Sequence, residues 1–162
     1  MTTEVNRQTR DTPVHGLIAR QGEGKVYRVM GMDCMVLARN VDTGFACDVM
    51  QAVFPPQSGM PAHRHHHSDE AVFVLQGELV LQVGERTVNA TRGTFGYIPR
   101  ETVHAMHNAS SEACHVLLWQ SPGVDGQAQL EEMSQLPPGP LDLGQLLPLF
   151  VKYDIEPVMP AE

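Results

Sequence analysis

Between Lys25 and Trp119, apolar residues come in short runs that alternate with polar ones and stop at turn formers. "KVYRVM" leads to Gly31, and "CMVLARNV" leads to "DTG" at 42–44. "FACDVMQAVF" halts at Pro55-Pro56. "AVFVLQ", "GELVLQV", "GERTVNA", "GTFGYIP" and "CHVLLWQ" follow, punctuated by Gly77, Gly84, Gly93 and "NASSE" at 108–112. A period of two is what a half-buried strand requires. Many short strands at close spacing predict an all-β sandwich or barrel. No helical period of useful length precedes residue 126.

The pattern changes at both ends. Residues 1–24 are polar, with Gly22 and Gly24 near their end, and predict a flexible arm. "DGQAQLEEMSQL" at 125–136 and "DLGQLLPLFVKY" at 142–153 place apolar residues at helical spacing. Asp125 and Asp142 are suited to cap these helices, and "PPGP" at 137–140 separates them. Pro148 is expected to kink the second helix or end a turn of it. Glu131 and Glu132 adjoin on the first helix and diverge, which fits a solvated face rather than a catalytic pair. The expected organisation is an arm over 1–24, a β domain over 25–122 and a helical extension over 123–162.

Composition narrows the function. The chain has 162 residues, enough to bury one core without disulfides or a structural metal. A net charge of −8, from 11 basic against 19 acidic residues, argues against a nucleic-acid partner. Cys34, Cys47 and Cys114 are odd in number and far apart, which fits small buried residues in a reducing compartment. The N-terminus lacks the apolar stretch of a signal peptide, and no apolar run nears the ~18 residues that span a bilayer. A soluble, cytoplasmic protein with no membrane partner is the expectation.

The chemistry is concentrated in "HRHHHSDE", His63 to Glu70. If the chain is extended from Ala62 to His67, His63 and His65 share one face, with His67 a third candidate. Arg64 and His66 point away. Glu70 lies an odd number of positions from His63, so a turn or bulge near Ser68 and Asp69 must intervene for it to join them. Imidazole nitrogens with a carboxylate oxygen favour a divalent first-row metal: iron, manganese, nickel, cobalt, copper or zinc.

A second histidine segment lies downstream in "GTFGYIPRETVHAMHN", Gly93 to Asn108. Read as His63-x-His65-x4-Glu70-x6-Gly77 and Gly93-x5-Pro99-x4-His104-x3-Asn108, the two stretches resemble the two motifs of the cupin superfamily. Fifteen residues, 78–92, separate them, as in small microbial cupins. Two family glycines are absent. Glu101 stands two residues after Pro99, and Gln57 stands where a glycine usually precedes the first His by five intervening residues. The tail "KYDIEP" is similar to the ending of single-domain cupins that resemble quercetin 2,3-dioxygenase.

The resemblance implies a double-stranded β-helix, the cupin or jelly-roll barrel, with a short helical segment after it. It implies one divalent metal per chain, held by His63, His65 and Glu70 from the first motif and His104 from the second. His66, His67 and His107 are then neighbours rather than ligands, and His15 and His115 are structural. Four protein ligands leave room for a substrate oxygen, water or dioxygen. By the same likeness Glu70 is both ligand and catalytic proton acceptor. The implied activity is that of a dioxygenase acting on a small enolic or phenolic substrate. An isomerase, cyclase or decarboxylase on the same scaffold is the alternative, as is a ligand-binding protein without catalysis. Met50, Phe54, Phe73, Tyr97, Met106 and Trp119 are expected to line the pocket, and a homodimer is expected.

Overall fold

The computed structural model describes residues 15–20, 22–137 and 142–158, with Leu143 placed by its backbone alone. Most of the arm expected over 1–24, and 138–140 of "PPGP", lie outside the described residues. Ten strands fill the expected β region: β1 (Val26–Val29), β2 (Met32–Ala38), β3 (Asp48–Phe54), β4 (Gly59–Arg64), β5 (Asp69–Gln76), β6 (Glu78–Val83), β7 (Arg86–Thr91), β8 (Phe95–Ile98), β9 (His104–His107) and β10 (Cys114–Ser121). Two helices follow, α1 (Gly126–Ser134) and α2 (Leu143–Lys152), and then a two-residue strand β11 (Glu156–Pro157).

Local chemistry accounts for the boundaries. β2 stops at Ala38 because Arg39 and Asp42 cap a 3-10 turn over Asn40–Thr43, which takes Asn40 and Val41 out of the expected strand run. Asp125 caps α1 by accepting from the Ala128 amide, and Asp142 caps α2 by accepting from Gly144. Pro148 sits inside α2, which continues to Lys152. Glu131 and Glu132 pair with Lys25 and Lys152 at the surface.

The closed barrel implied by the resemblance is not formed. The strands make two separate antiparallel sheets, ordered β1-β2-β3-β10-β5-β8 and β11-β4-β9-β6-β7. Each sheet ends in edge strands: β1 and β8 in the first, β11 and β7 in the second. Among the described residues no ladder joins an edge of one sheet to the other. The sheets meet through side chains instead of a backbone ladder, so neither a double-stranded β-helix nor a jelly-roll barrel is closed. The outermost strands extend the sheets sideways: β1 pairs only with β2, and β11 only with β4.

Phe54, Val72, Val74, Leu79, Leu81, Ile98, Met106 and Val116 interdigitate between the sheets, with Leu130, Met133, Leu146 and Phe150 of the helices joining the same cluster. Burying each such side chain stabilises by ~1.5–3 kcal/mol, so the driving force for folding resides in this core and not in a metal. The start of α1 is fixed to the sheet by Asp48. Its carboxylate is fully buried and accepts from the backbone amides of Asn40 and Val124, at 2.7 Å each. Gly123 must be glycine there, because a Cβ would lie 2.6 Å from that of Asn40. The three cysteines are free, and burial pushes the Cys34 thiol up to about 12. Among the described residues, no helix is long and apolar enough to cross a membrane.

Candidate metal centre

His63, His65, Glu70 and His104 converge in the space between the sheets. All four are buried, and one ligating atom from each lies within 4.8 Å of all the others. Three elements and one turn deliver them. His63 on β4 pairs in register with His104 on β9. Their ring centroids are 4.1 Å apart. His65 lies one residue past the end of β4. The chain then turns through His66–Ser68 before β5 begins, which reverses the parity and brings Glu70 inward.

That turn is held from far along the sequence. The Asp154 carboxylate accepts from the amides of His66, His67 and Ser68 at 2.9, 2.9 and 3.1 Å. Ser68 Oγ donates to the Pro122 carbonyl. Both positions that lack the family glycine adopt the left-handed backbone a glycine would take, with φ 67° at Glu101 and 61° at Gln57. The Glu101 amide donates to the His65 carbonyl at 2.7 Å, and its carboxylate accepts from His66.

The three imidazoles are oriented alike. His63 Nδ1 lies 2.8 Å from the Pro61 carbonyl, His65 Nδ1 2.6 Å from that of Asp154, and His104 Nδ1 3.0 Å from that of Thr102. A carbonyl only accepts, so each Nδ1 carries the proton and each Nε2 presents a lone pair. Fixing the tautomer through the distal nitrogen is how metal-binding histidines are commonly set. Glu70 Oε2 lies 2.9 Å from His65 Nε2 and 3.5 Å from His104 Nε2. Adjacent ligands on metal bonds of ~2.1 Å stand about 3 Å apart, so these spacings suit a shared ion. His104 Nε2 is fully buried and has no hydrogen-bond partner among the described residues. A bound cation would satisfy it. The four residues thus make a three-histidine, one-carboxylate site able to coordinate a single divalent transition metal, its identity open.

Charge in the cluster follows from these contacts. Burial alone would raise the Glu70 carboxyl, but the adjacent His104 and His65 imidazoles outweigh it and hold the group well below the usual carboxylate range. Burial, reinforced by His104, pushes His63 down to about 4. Burial also acts to lower His65, yet Glu70 outweighs it and the imidazole is raised.

Glu70 also lines an apolar chamber of about 80 Å3, walled by methionines and by α1. Of the residues expected to line a pocket, Met50, Phe54 and Met106 lie along this chamber. Phe73, Tyr97 and Trp119 are not. Strand parity explains the correction. Glu70, Val72 and Val74 point inward on β5, so Phe73 points outward. Gln120 points inward on β10, so Trp119 points outward, where it packs against the half-exposed Phe95 at 5.7 Å. Tyr97, opposite Ala71, is half exposed and lies against Asp69.

Of the remaining histidines, His66 is at the surface between Glu101 and Glu156, and His67, His107 and His15 are exposed. His115 is half-buried on β10. Two residues near the cluster escaped the sequence reading. Gln120 sits opposite Glu70 in the β10–β5 register, its amide 3.4 Å from the His65 ring. Asp154 closes the turn. Gln120 had a weak signal, the polar end of an apolar strand. Asp154 lies in the tail "KYDIEP", but nothing nearby in sequence links it to residues 65–68.

Residues 50–120 match the family described as "Cupin domain". An uncharacterized protein of Methanocaldococcus jannaschii is 24% identical over 87 residues, 54% of this chain and 70% of its own length. A predicted oxalate decarboxylase from Thermotoga maritima aligns at TM-score 0.62 and 17% identity, over 65% of this chain and 98% of its own. The polyketide cyclase RemF from Streptomyces resistomycificus aligns at 0.58 and 17%, over 67% of this chain and 80% of its own. At these identities the structural likenesses bear on the fold.

Proposed function

We propose that this protein is a metal-dependent enzyme that rearranges a small apolar, enolisable molecule without consuming dioxygen, in the manner of an isomerase, cyclase or decarboxylase. The observation that carries the reading is the double position of Glu70. Its Oε2 faces the imidazoles, and the same side chain lines the chamber where a substrate would lie. A bound divalent ion would supply Lewis acidity toward a substrate oxygen. The chain supplies the rest. The methionine walls make the chamber apolar, which favours return of a proton taken up by Glu70 to the substrate over its loss to solvent. Removal and return of a proton isomerises the substrate with no oxidant; in a decarboxylation the C–C bond breaks, CO2 leaves, and a proton goes to the carbon that lost it, again with no oxidant. The likenesses to a cyclase and to a predicted decarboxylase support this class over the dioxygenase that the sequence motifs first suggested.

The test is turnover of β-diketones and acidic phenols by metal-loaded protein under argon and under air. Equal rates with no oxygen uptake are expected. Product that appears only with oxygen consumption would return the reading to a dioxygenase. Glu70→Gln separates enzyme from binder: it is expected to cut turnover by at least ~100-fold, and a variant that keeps its metal and full activity would remove Glu70 from the chemistry.

A further inference from the structure

Beyond the metal cluster, one buried polar group in the chamber is left without a partner. Gln129 lies on α1 facing the sheets and is only 9% exposed, and its Oε1 accepts no hydrogen bond among the described residues. It lines the same chamber as Glu70 and Gln120, and these three are its acidic and amide side chains. Around them stand six methionines: Met30, Met32, Met50, Met60, Met106 and Met133. A buried amide oxygen with no donor is costly, and native structures rarely keep one without reason.

We infer that Gln129 is a specificity-determining residue. It reads a hydroxyl or N–H on an apolar, aromatic-type ligand whose other end carries the oxygen that faces His63, His65, Glu70 and His104. The inference rests on the metal-centred reading above and adds to it the ligand's second polar group. The methionine walls suit flat, polarisable rings, because thioethers contact ring edges favourably and unbranched side chains re-pack around different shapes. They also settle how a ligand larger than the 80 Å3 chamber is accommodated. Val29, Met30, Met60, Met106 and Met133 are shared with an open groove of about 980 Å3 on the outside. These four methionines form the partition, and their rotation joins the two spaces.

The experiment uses the cobalt(II)-loaded full chain under argon, with phenol, hydroquinone, 2-naphthol and 2,6-dihydroxynaphthalene as probes. Binding is read from the cobalt visible spectrum and by calorimetry. At one ring length or the other, the diol is expected to bind about tenfold more tightly than its mono-ol. Gln129→Met should abolish that ratio, and Gln129→Glu, which keeps an acceptor, should retain it. Thermal melts confirm that both variants fold. Equal ratios in wild type and Gln129→Met, with a normal cobalt spectrum, overturn this inference alone. That result would mean a trapped water satisfies the amide. Failure of every probe to bind overturns the ligand class. Failure to take up cobalt at all removes the anchor and overturns the metal-centred reading with it.

Discussion

His63 carries the clearest pH signature at the scale of single residues. Its imidazole is pushed down to about 4 by burial and by His104, against an unfolded value near ~6.5. A base whose folded pKa is depressed binds its proton more readily when unfolded. Its contribution to stability is therefore complete above the unfolded pKa and is lost as pH falls through the folded one. The interval is worth on the order of 3 kcal/mol. His65 works in the opposite sense: its raised pKa stabilises at low pH and that contribution fades as pH rises. Metal-free protein in chelator should therefore lose more stability between pH 6.5 and pH 4 than His63→Gln does. Parallel melting curves for the two over that range would contradict the assignment. The left-handed residues Gln57 and Glu101 belong to this scale too, since each holds a glycine's conformation while its side chain bonds to a residue distant in sequence, the Ala109 carbonyl and His66 respectively.

Among the elements, the most consequential is the chain end. β11 pairs with β4, and the turn before it supplies both the carbonyl that orients His65 and the carboxylate that gathers three amides of the His66–Ser68 turn. The site is thus fastened from outside the residues that match the family. Asp154→Ala removes the carboxylate and leaves the carbonyl. We expect a loss of about 1–3 kcal/mol in stability, because three amides lose a charged acceptor. Metal affinity should fall by ~10–100-fold, as when an outer partner of a ligand is removed. Chelator competition and denaturant titration measure the two. Unchanged affinity would mean that the turn keeps its shape without Asp154. β4 and β9 teach a further point about elements: both were hard to read as strands, because "GMPAHR" and "HAMH" give core positions to ligands.

For the whole molecule, metal binding and folding are linked. The four ligands come from β4, the following turn, β5 and β9, and no unfolded chain presents them together. At a free metal concentration a hundredfold above Kd, binding adds ~2.7 kcal/mol to stability. For a chain of this size that is a rise in Tm of roughly 5–10 °C. Scanning calorimetry with and without added metal should show it, and His104→Ala should abolish it. Lowering the pH through about 4, where His63 takes up a proton, should also erase it, since protonated imidazoles cannot ligate. A rise that persists in His104→Ala would place the metal elsewhere. The apo protein should remain folded, because its core is complete without the ion.

The sequence by itself determined eight of the eleven strands, the two capped helices, and a pairing of histidine segments whose likeness to cupins named the four convergent residues. Period-two alternation, cap chemistry and motif spacing are all short-range, so they survive in a linear reading. What only the tertiary structure decided is everything that depends on register and on which edges find partners. The sheets stay open because their outermost strands pair on one side only. Phe73, Tyr97 and Trp119 turn away from the chamber because strand parity, counted from Glu70 and Gln120, assigns them to the outer face. Gln120, Gln129 and Asp154 lie 50 or more residues along the chain from the His63–Glu70 segment and are brought to it by packing that no local pattern encodes.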